Sequence, residues 1–144
     1  MNTIKLQMTN WKIQDKLPYI NLGRSGDNNS TRIIIKTSDL IQDENSNNMI
    51  GYFLDIYDSN STVTYAFETL EVDNDTLTCT CSEEFLGSTG VKLLMVRCNV
   101  LDSNLQEVAQ YTSNFVHAIV DKGASMSSES SIHQPFYYNL NKAI

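Results

Sequence analysis

The residues best suited to chemistry in this chain are three cysteines and two histidines. Cys79 and Cys81 stand two apart, so an extended backbone puts both thiols on one face, where they could share a metal. Zinc takes four ligands; Cys98 could be a third, and His117 is the nearby candidate for the fourth. A Cys-x-Cys without a second pair is a weak ligand pattern. All three cysteines also fall at apolar positions of expected strands, where a free thiol packs as a small hydrophobe. Core packing is the expected role, and no metal or cofactor is expected. His117 lies near a strand end and His133 near the C-terminus, far apart in sequence. No Gly-x-Ser-x-Gly, Cys-His or Ser-His-Asp pattern is present, so no catalytic residue is assigned. Asp55, Asp58 and Asn60 surround one turn, and Asp73, Asn74 and Asp75 the next. Neither matches a calcium-binding EF-hand loop, and turn formation accounts for both. Trp11, Tyr19, Tyr52 and Tyr57 could stack on a sugar. Trp11 and Tyr19 lead that group, because they lie in the less regular segment 9–29.

These side chains must be positioned by strands. Residues 91–101, VKLLMVRCNVL, put Val91, Leu93 and Met95 on one side and Leu94, Val96, Cys98 and Val100 on the other. A strand apolar on both sides belongs in the centre of a core, with Lys92, Arg97 and Asn99 expected to reach water. Around it, strands are expected at 3–8, 31–37, 49–57, 62–67 and 76–82, with one long final strand over 108–120. Residues 17–22 are expected to be extended and, because of Pro18, at an edge. Ser38 could cap a single helical turn over 38–42. Leu77, Cys79 and Cys81 alternate with threonines and should point inward, while Phe85 or Leu86 plugs one end of the core. Strands at close intervals with Asn/Asp/Gly turns between them imply an all-β, Ig-like antiparallel sandwich of about seven to nine strands.

Composition narrows the functional classes. The chain has 144 residues and 41% hydrophobic content, enough for one domain with a buried core. A net charge of −7, with ten Lys and Arg scattered singly, argues against nucleic acid and against anionic membranes. No run approaches a membrane span, and the first residues do not resemble a signal peptide. An odd cysteine count without framework spacing suits synthesis in a reducing cytoplasm. Residues 1–120 form the expected sandwich domain. Beyond them, 123–131 (GASMSSESS) is linker-like, and 132–144 recovers Phe136, Tyr137, Tyr138 and Leu140. Segment 121–144 therefore reads as a linker and C-terminal extension, with these four residues expected either to fold back on the same domain or to dock on another copy.

The order of several short motifs resembles the N-terminal domain of the baseplate upper proteins of siphophages infecting Gram-positive bacteria. The carrying residues are Gly26-Asp27-Asn28-Asn29-Ser30 leading into Arg32 to Lys36, then Gly51-Tyr52-Phe53. Asn74-Asp75-Thr76-Leu77-Thr78, Gly90-Val91-Lys92-Leu93 and Asn114-Phe115-Val116 complete the set, spanning about residues 1–120. The resemblance implies an Ig-like sandwich and a non-catalytic virion protein of the tail or baseplate, made in the host cytoplasm. It would attach host-recognition machinery to other tail proteins and assemble in several copies as a homo-oligomer. The alternative expectation is a carbohydrate-binding module of a phage or bacterial surface protein, contacting sugar through Trp11 and Tyr19.

Overall fold

The computed structural model describes residues 1–14, 18–41, 47–60 and 63–122. Among these residues ten strands follow one another: β1 (Asn2–Thr9), β2 (Lys12–Gln14), β3 (Ile20–Arg24), β4 (Thr31–Thr37), β5 (Met49–Asp58), β6 (Thr64–Asp73), β7 (Thr76–Thr80), β8 (Gly90–Leu101), β9 (Glu107–Thr112) and β10 (Val116–Asp121). They form one curled sheet in the order β2-β1-β4-β7-β6-β5-β8-β10-β3, with β9 also paired to β8. The curl comes from β6. Its first part pairs with β5, from Thr64 opposite Tyr57 to Leu70 opposite Tyr52. Its last residues, Glu71 to Asp73, pair instead with Thr78 to Thr76 of β7. One strand thus turns the corner between two layers, as in sandwiches whose sheets share a bent strand. The all-β, sandwich-like architecture agrees with the alternation read from the sequence.

Two pairings are parallel, β1 with β4 and β10 with β3, where only antiparallel neighbours were expected. Each joins strands separated by a crossover between layers, which tight turns in the sequence do not reveal. Strand β2 was also unexpected. It follows a two-residue turn in which both Asn10 and Trp11 have positive φ, 52° and 59°, the backbone of a primed hairpin turn. The Asp39 carboxylate steadies that turn, accepting hydrogen bonds from the Asn10 amide at 3.1 Å and the Trp11 amide at 2.9 Å. Residues 38–41 consequently form no helical turn: Thr37 Oγ1 accepts from the Asp39 amide at 3.0 Å and aims Asp39 at the hairpin. Residue 42 lies outside the described residues. Strand β3 begins two residues after Pro18 and ends the strand order, at the expected edge.

The expected long final strand is split in two. Strands β9 and β10 both run along β8, but Ser113 to Phe115 interrupt the ladder between them. Ser113 bridges the break, its amide donating to the Val96 carbonyl and its hydroxyl accepting from the Val96 amide, both at 2.9 Å. The kink frees the Asn114 side chain, whose Oδ1 accepts from the Ile13 amide at 2.6 Å while its amide group donates to the Ile13 carbonyl at 3.3 Å. A side chain here does the work of a strand, tying β2 to the opposite layer. Ser113→Ala leaves the buried Val96 amide without its acceptor and should cost about 1–2 kcal/mol. Urea unfolding would measure it.

Strand β8 supplies the centre, with Leu94, Val96, Cys98 and Val100 packed against Ile33, Ile35 and Leu77 of the facing layer and with Leu54 and Ile56 beside them. Phe85 and Leu86 are both buried, closing one end. Lys92 corrects the expectation that it reaches water. It is 1% exposed, on the same side of β8 as Leu94. Its aliphatic stem lies in the core, and its ammonium group pairs with Asp58 and Ser88 at the end of the sandwich.

Candidate interaction surface

The two layers present different outer faces. On the β1-β4-β7 layer, the outward residues are Thr3, Lys5 and Gln7, then Arg32, Ile34 and Lys36, then Thr76, Thr78 and Thr80. That is the polar alternation of a sheet facing water. On the opposite layer the register aligns a different set. Phe53 stands opposite Arg97, Asp55 opposite Met95, and Tyr57 opposite Leu93. Phe67 of β6 stands opposite Asp55, and Ile119 of β10 opposite Val91. The face carries aromatic and aliphatic side chains on four strands, with the Arg97–Asp55 ion pair among them and the polar Thr69, Asn99, His117 and Asp121 beside them.

Arg97 and Asp55 make that pair. Arg97 Nε donates to Asp55 Oδ2 at 2.8 Å and Nη2 to Oδ1 at 3.1 Å, the bidentate geometry that suits guanidinium and carboxylate. A further donor of Arg97 reaches Asn99 Oδ1. The Asp55 hydrogen bonds hold the guanidinium above its ordinary pKa, outweighing the opposing effect of burial. The same guanidinium lies over the rings of Phe53, at 4.5 Å, and Phe67, at 5.8 Å, and those rings meet edge to face. Tyr57 and Phe115 make a second edge-to-face pair, with centroids 5.4 Å apart. Beside Phe53, Gly51 faces outward with no side chain, leaving a hollow walled by Met49, Phe53, Asn99 and Leu101. A Cβ there would come within 3.0 Å of the Phe53 ring. A fixed arginine among aromatic rings, next to a hollow, has the composition of an interface core.

The residues singled out from sequence fall elsewhere. Cys79, Cys81 and Cys98 are buried free thiols. A hydrogen bond with Cys81 and burial both push the Cys79 thiol up, and burial pushes Cys98 to about 11. Protonated thiols are poor nucleophiles and poor metal ligands. His117 points outward from β10 and meets Tyr19 edge on, so it does not join the cysteines. Among the described residues no group of three His, Cys, Asp or Glu could hold a metal ion. Asp58 is engaged by Lys92, and the Asp73 carbonyl accepts from Thr76 Oγ1 within its turn. Trp11 stacks on Tyr111 with centroids 5.5 Å apart, docking the β1-β2 hairpin on β9. Trp11 and Tyr19 are therefore engaged with different neighbours, Tyr111 and His117 respectively. Tyr52 points inward and accepts a hydrogen bond from the Ile41 amide at 2.9 Å. Phe136, Tyr137, Tyr138, Leu140 and His133 lie outside the described residues.

The outward set of Gly51, Phe53, Asp55 and Arg97 was not singled out from sequence. A signal for it existed: Phe53 and Tyr57 alternate with the inward Tyr52, Leu54 and Ile56, making β5 apolar on both sides, as β8 is.

No protein-family model matches the sequence, and no curated protein sequence matches it. Among solved structures, the fold is similar to the "N-terminal domain of phage TP901-1 ORF48". The TM-score is 0.56 at 16% sequence identity, over 85% of this chain and all of that one. At that identity the likeness is one of fold.

Proposed function

We propose that this chain is a non-catalytic structural module of a phage tail baseplate, Ig-like in type, that joins host-recognition machinery to other tail proteins in the virion. The observation that carries this reading is the aromatic outer face of β6-β5-β8-β10, built around the Arg97–Asp55 pair. It suits contact with protein rather than catalysis. Two likenesses support the phage context: the order of motifs over residues 1–120 and the fold of a phage protein's N-terminal domain. Assembly in several copies belongs to the same reading, with Phe136, Tyr137, Tyr138 and Leu140 acting as an arm that orders when it docks on a neighbouring copy.

Deleting residues 122–144 should reduce the molar mass measured by light scattering while far-UV circular dichroism still reports the folded sandwich. Unchanged assembly would remove the arm from the proposal. Carbohydrate contact through Trp11 and Tyr19 is the competing reading, and Trp11 offers it at most one free face because Tyr111 stacks on the other.

A further inference from the structure

We infer that the open edge of β1 receives residues 136–141 of this chain as an added strand, filling the gap between β1 and β3. The inference rests on the arm reading in one respect, that this segment docks rather than staying in water, and it names what the segment docks on.

Strand β1 is paired along nearly its whole length on one side only. There its parallel partner β4 runs from Thr31 opposite Asn2 to Thr37 opposite Met8. On the other side, among the described residues, β2 covers only Gln7 to Thr9. Backbone groups turn alternately to the two sides of a strand, so Thr3 and Lys5, in step with Gln7 and Thr9, turn theirs to the uncovered side. Burial falls away over the same stretch. Met8 is 1% exposed, whereas Leu6 and Ile4, on the same inward side, are only half-buried. With Ile20 of β3 they wall a groove rimmed by Lys5, Gln14 and Asn21. Unpaired backbone beside uncovered apolar side chains is what an added strand satisfies.

Pattern and position favour residues 136–141 as the occupant. Phe136, Tyr138 and Leu140 alternate with Tyr137, Asn139 and Asn141, the two-residue period of a strand apolar on one side. Strand β1 carries the same period, with Ile4 and Leu6 inward and Thr3, Lys5 and Gln7 outward. Paired in step, the apolar sides of both face the core. The segment is uncharged, and Pro135 before it is a residue tolerated at the start of an edge strand. Position agrees. Asn2 Nδ2 donates to the Asn21 carbonyl at 3.2 Å, and Asn21 Nδ2 donates to Asp121 Oδ2 at 3.3 Å. Strand β10 therefore ends beside the start of the open edge. Residues 122–135, fully extended, span up to ~45 Å, against ~26 Å for the length of β1. The groove is within reach, whether the segment comes from its own copy or from one that touches it.

The test is residue-resolved amide hydrogen exchange by NMR on the full chain, with sedimentation velocity on the same samples. The Thr3 and Lys5 amides should exchange about tenfold or more slowly in the wild type than in a Tyr138→Lys/Leu140→Lys variant. The amides of residues 136–141 should be protected in the wild type and lose that protection in Lys5→Pro, which removes a donor from the open edge and none from the β4 ladder. If Lys5→Pro misfolds, the Tyr138→Lys/Leu140→Lys variant still decides, because its substitutions lie outside the ten strands. Thr3 and Lys5 amides that exchange equally in the wild type and that variant overturn the inference. So do residues 136–141 that stay protected in a folded Lys5→Pro. Protection in a chain that sediments as a monomer upholds the inference and ends the reading of the segment as an arm between copies. Assembly lost in the Tyr138→Lys/Leu140→Lys variant, with Thr3 and Lys5 exchange unchanged, defeats this inference alone and leaves the arm reading standing.

Discussion

Replacing Arg97 with Met should lower the stability of the domain by about 3 kcal/mol, the cost typical of removing one partner from a buried ion pair. The Asp55 side chain is only 2% exposed, and its two oxygens are held by Arg97 Nε and Nη2. Without the guanidinium, a carboxylate stands among Met95, Phe53 and Phe67 with neither water nor a counter-charge. Methionine keeps an apolar stem over the Phe53 and Phe67 rings, so the loss reads the charge rather than the packing. Thermal unfolding should show a fall in Tm on the order of 10 °C for a domain of this size. The double variant Arg97→Met/Asp55→Leu removes both charges together and should recover most of the loss. A double variant no more stable than Arg97→Met would mean that the pair is not what holds this face in order.

Leu94→Ala should also cost about 3 kcal/mol, whereas Leu93→Ala, one residue away, should cost less than about 1 kcal/mol. Leu94 is fully buried between the layers with Val96 and Ile56. Leu93 faces outward between Tyr57 and His117 and is only half-buried. Truncating Leu94 leaves a cavity that its close-packed neighbours cannot collapse into. Truncating Leu93 opens space that is already partly solvent. Urea unfolding of the two variants at low protein concentration separates them. Equal losses would mean that both sides of β8 are covered in the single subunit, contrary to the layer arrangement.

Much of the fold is legible along the chain, because strand alternation is a local property. The two-residue period over 31–37 and 76–80 marks β4 and β7, and the same period turns Leu77, Cys79 and Cys81 inward. The all-β architecture, the edge position after Pro18 and the closure by Phe85 and Leu86 follow from residue types and their neighbours. The period even places Lys92 on the inner side of β8. Its charge pointed the other way, and the conflict is resolved by Asp58, thirty-four residues distant, which meets the ammonium at the end of the sandwich.

Registers between distant segments lie beyond such local signals. The split between β9 and β10 depends on Ser113 meeting Val96 and on Asn114 meeting Ile13, 101 residues away. The β1-β2 hairpin depends on Asp39 reaching back to two amides at positive φ. The parallel pairings depend on crossovers between layers, and the corner on where β6 exchanges β5 for β7. The interaction surface is the clearest case. Phe53, Phe67 and Arg97 are unremarkable residues on three separate strands. Only the alignment of β5 with β8 and of β6 with β5 stacks them and seats Asp55 beneath the guanidinium. Sequence alone determined which segments are strands and which side chains are apolar, since both follow from the nearest few residues. Tertiary structure decided which apolar side became core and which became surface, because a strand apolar on both sides carries no record of which side its own chain will cover.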